Sequence, residues 1–99
     1  VANWSKTLAN ELGQFAITVN NVLPGATSTE RLSQIIKNKS TKQGIAIEEA
    51  SNNMKNNVPA KRFAKPEETA DAITFLASAR AAYINGINLP VDGGRTKSL

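Results

Sequence analysis

The stretch "VNNVLPGATSTERL", Val19 to Leu32, decides how this chain is read. Apolar residues run up to Pro24-Gly25, three hydroxyl residues follow as Thr27, Ser28 and Thr29, and Glu30 opens a helical pattern. Proline offers no N–H to a ladder and glycine accepts backbone conformations that other residues avoid, so the pair ends a strand. A turn accounts for Pro24-Gly25 but leaves the crowded hydroxyls unexplained. Thr27 and Glu30 have the Thr-x-x-Glu spacing of a capping box, which predicts a helix starting there.

Working outward, "FAITVNNVL" (15–23) alternates Phe15, Ile17 and Val19 before Val22 and Leu23, which predicts a strand. Before it, Val1, Trp4, Leu8 and Leu12 share one helical face, with Gly13 placed as a left-handed cap. After the hydroxyls comes a short helix through Leu32, Ile35 and Ile36. "KNKSTKQG" (37–44) reads as a polar loop. A second helix presents Ile47, Ala50 and Met54 and ends before Val58-Pro59. The third has the clearest signals: Pro66 suits the first turn, Glu67 and Glu68 the positive end of the dipole. Ala70, Ile73, Leu76 and Ala77 form its predicted buried stripe. "YING" (83–86) turns the chain into a second strand, Ile87, Leu89 and Val91, and Asp92-Gly93-Gly94 reverses it.

Two strands joined through a long helical crossover lie parallel, with a right-handed connection. Two parallel strands make a poor sheet alone, because such sheets need both faces and most edges covered. Residues 1–99 are therefore expected to be the C-terminal part of a doubly wound α/β domain. The start at Val1, already inside a helical pattern, hints at truncation.

Composition narrows the chemistry. The 99 residues include no Cys and no His, which removes thiolate nucleophiles, disulfides and imidazole bases. The carboxylate pairs Glu48-Glu49 and Glu67-Glu68 are adjacent, a spacing unsuited to metal ligation. The net charge is +4, and Arg31, Lys37, Lys39 and Lys42 fall where no acid occurs. That run suits a solvated connector or a basic rim around an anionic substrate. A nucleic-acid partner is not expected, because no aromatic residue is interleaved with the cations. No apolar run reaches the roughly 18 residues of a membrane span, so no membrane partner is expected. No signal-peptide pattern is present, and a cytoplasmic location is the default.

Four motifs then line up with one family. "ITVNNVLPGATST" is similar to the strand and turn I-R-V-N-x-V-x-P-G-x-I-x-T of short-chain dehydrogenases/reductases. "VPAKRFAKPEETADAITFLAS" resembles their P-x-x-R-x-x-x-P-E-E-[VT]-A segment, and "ARAAYINGINLPVDGG" their A-x-Y-I-T-G-x-x-x-x-V-D-G-G ending. "WSKTLANEL" resembles the second half of the helix carrying the catalytic Tyr-x-x-x-Lys. The resemblance covers nearly the whole chain and, among subfamilies, is strongest to 3-oxoacyl-acyl-carrier-protein reductases and sugar-alcohol-type dehydrogenases. Thr18 stands where the family commonly has Arg, and Thr27 where it has Ile or Val.

The resemblance implies a Rossmann-like domain and an NAD(P)-dependent oxidoreductase. Such a protein moves a hydride between nicotinamide and a small carbonyl, alcohol or acyl-thioester substrate, with NAD or NADP bound by the complete protein. It also implies a homo-oligomer, dimer or tetramer. The catalytic Tyr-x-x-x-Lys would lie just before Val1, and the catalytic Ser and glycine-rich loop further upstream. Tyr83 has no Lys four residues on, so the chain alone is expected to be inactive. Ligands bind outside the carboxyl ends of strands in such sheets. There Pro24 and Gly25 would bring backbone close to the nicotinamide, and Thr27 backbone and the Thr29 hydroxyl would bond its carboxamide or a phosphate. The plainer reading, compatible with this one, is that the threonines cap a helix. Residues 27–58 would be a mobile substrate lid, while Asn20 and the Val-Asp-Gly-Gly turn would serve structure. The rival reading is a non-enzymatic fragment or pseudo-enzyme acting as a protein-interaction module.

Overall fold

The computed structural model describes residues 2–97. Along the chain run α1 (Ala2–Leu12), a 3-10 turn (Gly13–Phe15), β1 (Asn21–Pro24), α2 (Glu30–Gln43), α3 (Ile47–Asn56) and α4 (Pro66–Leu76). A second 3-10 turn (Ala79–Ala81) and β2 (Asn88–Val91) complete the order. β1 and β2 pair in parallel, from Asn21 opposite Asn88 to Pro24 opposite Val91. The parallel two-stranded arrangement is the expected one.

The first strand is much shorter than the predicted 15–23. Phe15 lies in the 3-10 turn, and Ala16 rather than Gly13 takes the left-handed conformation, at φ 61°. Upstream of Asn21 the ladder gives way to asparagine side chains that imitate backbone. Asn85 Oδ1 accepts from the Val19 N–H at 2.9 Å, and Asn20 Oδ1 accepts from the Ile87 N–H at 3.1 Å. Asn20 also donates to the Ile84 carbonyl, so its expected structural role is observed. Among the described residues, the other side of β1 has no partner strand.

On α1 the buried residues are Ser5 and Ala9, whereas Trp4 stays 69% exposed and Leu8 and Leu12 only half-buried. Val1 lies outside the described residues. The cause is close approach: Asn85 Nδ2 donates to the Ala9 carbonyl at 3.0 Å, and a Cβ on Gly86 would lie 3.3 Å from that of Ala9. The helix thus seats Ser5 and Ala9 against the sheet, while its larger apolar residues are only partly covered by described elements.

The segment 37–44, read as a loop, is helical as far as Gln43. Polar composition hid a stretch that contains no breaker before Gly44. Leu32, Ile36 and Ser40, four residues apart, all face inward and are buried. Gly44 caps α2 at φ 66° with its N–H on the Ser40 carbonyl, and the Ser40 hydroxyl donates to the Ile45 carbonyl at 2.5 Å. Leu32, Ile36 and Ala50 form a small core with Ala26, Ile45, Met54 and Phe63 packed against it. Ile47, predicted on that face, is half-exposed. Fully burying an aliphatic side chain stabilises by about 1.5–3 kcal/mol, enough to hold two helices as a hairpin.

α4 begins at Pro66 as expected, but its apolar stripe is not buried. Ala70 and Ala77 are exposed, Ile73 is half-exposed and Leu76 only half-buried. The helix leans on β1 and β2, yet no described element covers its outer side. The molecule is correspondingly long, 55 × 24 × 22 Å, with a radius of gyration of 16.9 Å where a compact chain of this length has about 13 Å.

Candidate functional site

The carboxyl ends of β1 and β2 lie side by side, and the chain leaves both through touching turns. The Gly25 N–H donates to the Val91 carbonyl at 2.9 Å. A Cβ on Gly25 would sit 2.7 Å from Asp92 Cα, so a larger residue would force the turns apart. Asp92 in turn holds its own loop, accepting from the Gly94 N–H at 2.9 Å and the Thr96 N–H at 2.8 Å. The Thr96 hydroxyl, with the Thr96 and Gly94 N–H groups, keeps the Asp92 carboxyl below the usual range.

The hydroxyl cluster divides its tasks. Thr27 Oγ1 donates to the Gly25 carbonyl at 2.9 Å and tightens the turn. Thr29 caps α2, accepting from the Leu32 N–H at 3.2 Å. The predicted Thr27–Glu30 capping box is therefore replaced by a Thr29 cap. Its geometry requires the acid at the third helical position, and Glu30 is the first.

Thr27 also faces Ala64 across a short parallel bridge. The Ser28 N–H donates to the Ala64 carbonyl at 2.8 Å, and the Ala64 N–H to the Ala26 carbonyl at 2.9 Å. In this pattern the bonds come from the neighbours of Thr27, whose own N–H and C=O point the opposite way. Neither group bonds anything among the described residues. A backbone donor and acceptor thus lie side by side at the carboxyl end of a strand, one turn before a helix N-terminus. That pair matches a carboxamide, which offers one of each. The four predicted site residues Pro24, Gly25, Thr27 and Thr29 are brought together in this one segment.

Sequence reading missed the neighbouring Arg62–Glu68 pair. Arg62 Nη1 and Nη2 fork onto Glu68 Oε1 and Oε2 at 2.6 and 2.9 Å. Glu68 Oε1 accepts from the Lys65 N–H as well, at 2.9 Å. The Arg62 bonds first, and the Lys65 N–H second, lower the Glu68 pKa to about 2. The available signal was positional: Glu68 stands three residues after Lys65, with Pro66 opening the helix. A cavity of about 410 Å³ adjoins the pair, lined by Ala26, Val58, Glu68, Asp92 and Gly93 among others.

Both carboxylates are engaged by N–H donors, and Tyr83 is fully exposed on the approach to the amino end of β2. No described helix is long and apolar enough to cross a membrane.

Comparison with known proteins identifies the family. The family model described as Enoyl-(Acyl carrier protein) reductase matches residues 1–96. The NADPH-dependent reductase BacG of Bacillus subtilis (strain 168) is 38% identical over 97 residues, covering 98% of this chain and 38% of that protein. The 3-oxoacyl-[acyl-carrier-protein] reductase FabG of Buchnera aphidicola subsp. Acyrthosiphon pisum (strain APS) is 42% identical over 92 residues, 90% of this chain and 32% of that protein. Among solved structures, a short chain dehydrogenase family protein from Francisella tularensis superposes with a TM-score of 0.91 at 33% identity, covering 98% of this chain and 40% of its own. L-sorbose reductase from Gluconobacter frateurii, complexed with NADPH and L-sorbose, superposes at 0.88 with 36% identity, covering 99% and 38%. The chain spans about a third to two-fifths of the length of these relatives. Its fold is accordingly part of a Rossmann-like α/β domain, and the chain belongs to the short-chain dehydrogenase/reductase family.

Proposed function

We propose that the complete protein containing this chain is an NAD(P)-dependent oxidoreductase that moves a hydride between nicotinamide and a carbonyl or alcohol. The observation that carries this is the N–H and C=O of Thr27 just past the carboxyl end of β1, which bond nothing among the described residues. In this reading Thr27 backbone holds the nicotinamide carboxamide and so orients the ring, while the Thr29 hydroxyl donates to the carboxamide or a phosphate. Glycine at position 25 lets the turn after β1 pack directly on the Asp92 turn, which fixes where the Thr27 backbone stands. The cofactor supplies the hydride; this chain binds, orients and covers. The two-helix hairpin within residues 27–58 serves as the substrate lid, and the exposed apolar faces serve as contact surface within a homo-oligomer. Relatives named as 3-oxoacyl-[acyl-carrier-protein] reductases make a 3-oxoacyl thioester one substrate class to assay. By itself the 99-residue chain turns over nothing, because it lacks the family's Ser, Tyr and Lys.

Exposed Trp4, Phe15 and Tyr83 favour the second reading, a non-enzymatic module that binds protein partners. Titration of the complete protein with NADPH and NADH, followed by assays on ketones and 3-oxoacyl thioesters, separates the two. The Thr29→Val variant is the sharper probe. Losing one net hydrogen bond should weaken cofactor binding by about 0.5–1.5 kcal/mol, with Thr29→Ser restoring it. Unchanged affinity with lowered stability would reduce Thr29 to a helix cap.

A further inference from the structure

Ala64 is the residue whose N–H and C=O hold Ala26 and Ser28 on either side of Thr27. The Arg62–Glu68 pair reaches both of its neighbours. Arg62 Nη1 donates to the Phe63 carbonyl at 3.2 Å, and Glu68 Oε1 accepts from the Lys65 N–H at 2.9 Å. One guanidinium and one carboxylate thus grip the backbone immediately before and after Ala64 while bonding each other twice. The pair is solvent-accessible, with side chains 56% and 37% exposed. Exposed ion pairs add little to global stability, but a forked guanidinium–carboxylate contact fixes geometry well. Glu68 also belongs to the first turn of α4, so the grip is anchored on a helix that leans on the sheet.

We propose that Arg62 and Glu68 are positioning residues for the cofactor-binding turn. They hold Ala64 at the register that aims the N–H and C=O of Thr27 away from the bridge and toward ligand. The same clamp closes the base of the α2–α3 hairpin, which the chain enters through residues 26–28 and leaves through 63–64. Cofactor engagement and the seating of the hairpin therefore share one mechanical element. This proposal rests on the reading that Thr27 backbone contacts the nicotinamide.

The test uses the complete protein and the variants Arg62→Gln, Arg62→Lys and Glu68→Gln, with Thr29→Val as comparator. Amide exchange of Ser28 and Ala64 is followed without cofactor, and NADPH affinity is measured by titration. Arg62→Gln should raise exchange at both amides and weaken NADPH by about threefold to tenfold, the scale of one hydrogen bond. Arg62→Lys should fall between, since an ammonium cannot fork. Glu68→Gln, which keeps an oxygen for the Lys65 N–H, should resemble Arg62→Lys and guards against loss of folding in the first variant. Unchanged exchange at Ser28 and Ala64 in all three would overturn the clamp. Raised exchange with unchanged NADPH affinity, while Thr29→Val does weaken binding, would overturn the positioning role and leave the cofactor site standing. If the unmutated complete protein shows no NADPH affinity in the titration, the cofactor reading itself fails and the positioning role falls with it.

Discussion

At the scale of single residues, the turn after β1 shows how one segment can satisfy two demands. Thr27 and Thr29 were both legible as caps and as ligand contacts. The structure separates them: Thr29 caps α2, while Thr27 spends its hydroxyl on Gly25 and its backbone bonds nothing among the described residues. Gly25 was legible as a turn residue, but its reason was not, because Asp92 lies 67 residues away in the chain and 2.7 Å from the missing Cβ. The Arg62–Glu68 pair was legible only on one side: Glu68 three residues after Lys65 suggested its backbone bond, but Arg62 lies in the loop before α4 and its reach is fixed only once the chain folds. Its titration gives a prediction. The Glu68 pKa lies at about 2 against an ordinary 4.5. A carboxyl lowered on folding contributes stability above its unfolded pKa and loses it as pH falls through the folded one. The grip on Ala64 should therefore be fully present at pH 5 and above, and decline between about 4.5 and 2. Exchange protection at the Ser28 amide, followed down that range and compared with Glu68→Gln, checks it; protection lost already near neutrality would contradict the assignment.

At the scale of elements, sequence patterns located every helix and both strands but misjudged their lengths. α2 runs past its apolar residues because nothing in Lys37–Gln43 breaks a helix, and its buried stripe continues through Ser40. Polarity is not a breaker; glycine and proline are. β1 fell short because a ladder extends only as far as its partner, and β2 is four residues long. Side-chain amides of Asn20 and Asn85 take over where strand pairing stops. The end of α2 supplies a direct check. Gly44 is left-handed with open space where a Cβ would go, so Gly44→Ala meets a conformational penalty and no clash. The complete protein should lose roughly 1 kcal/mol in urea unfolding, with the Ser40 to Ile45 region showing the fastest added exchange. A neutral or stabilising result would mean that the helix ends elsewhere in solution.

At the scale of the molecule, the fold class was legible and the burial was not. Amphipathic stripes on α1 and α4 announced that each helix packs on something, without naming the surface. In this chain those stripes are only partly covered by described elements, and among the described residues no large side chain is fully buried. Every square ångström of apolar surface left in water forfeits roughly 25 cal/mol, and a chain with so thin a core is marginal alone. The isolated 99-residue polypeptide should self-associate or remain largely disordered. Sedimentation with amide spectra at low concentration decides: a dispersed, monomeric spectrum would contradict the expectation.

The asparagine clamp between α1 and the sheet carries a consequence for chemical ageing. Asn85 precedes Gly86, the pairing in which a backbone nitrogen most readily attacks the neighbouring side-chain amide and turns it into an acid. Here both partners are occupied: Asn85 bonds the Val19 N–H and the Ala9 carbonyl, and the Gly86 N–H bonds the Val19 carbonyl. Closed, the clamp shields its own weak link. Each opening exposes it, and an aspartate formed at position 85 would place a carboxylate against the Ala9 carbonyl and hinder reclosure. Deamidation at Asn85, read by peptide mapping of stored samples, should accumulate faster in the isolated chain than in the complete protein, so the bond acts as a slow clock of how often this joint comes apart.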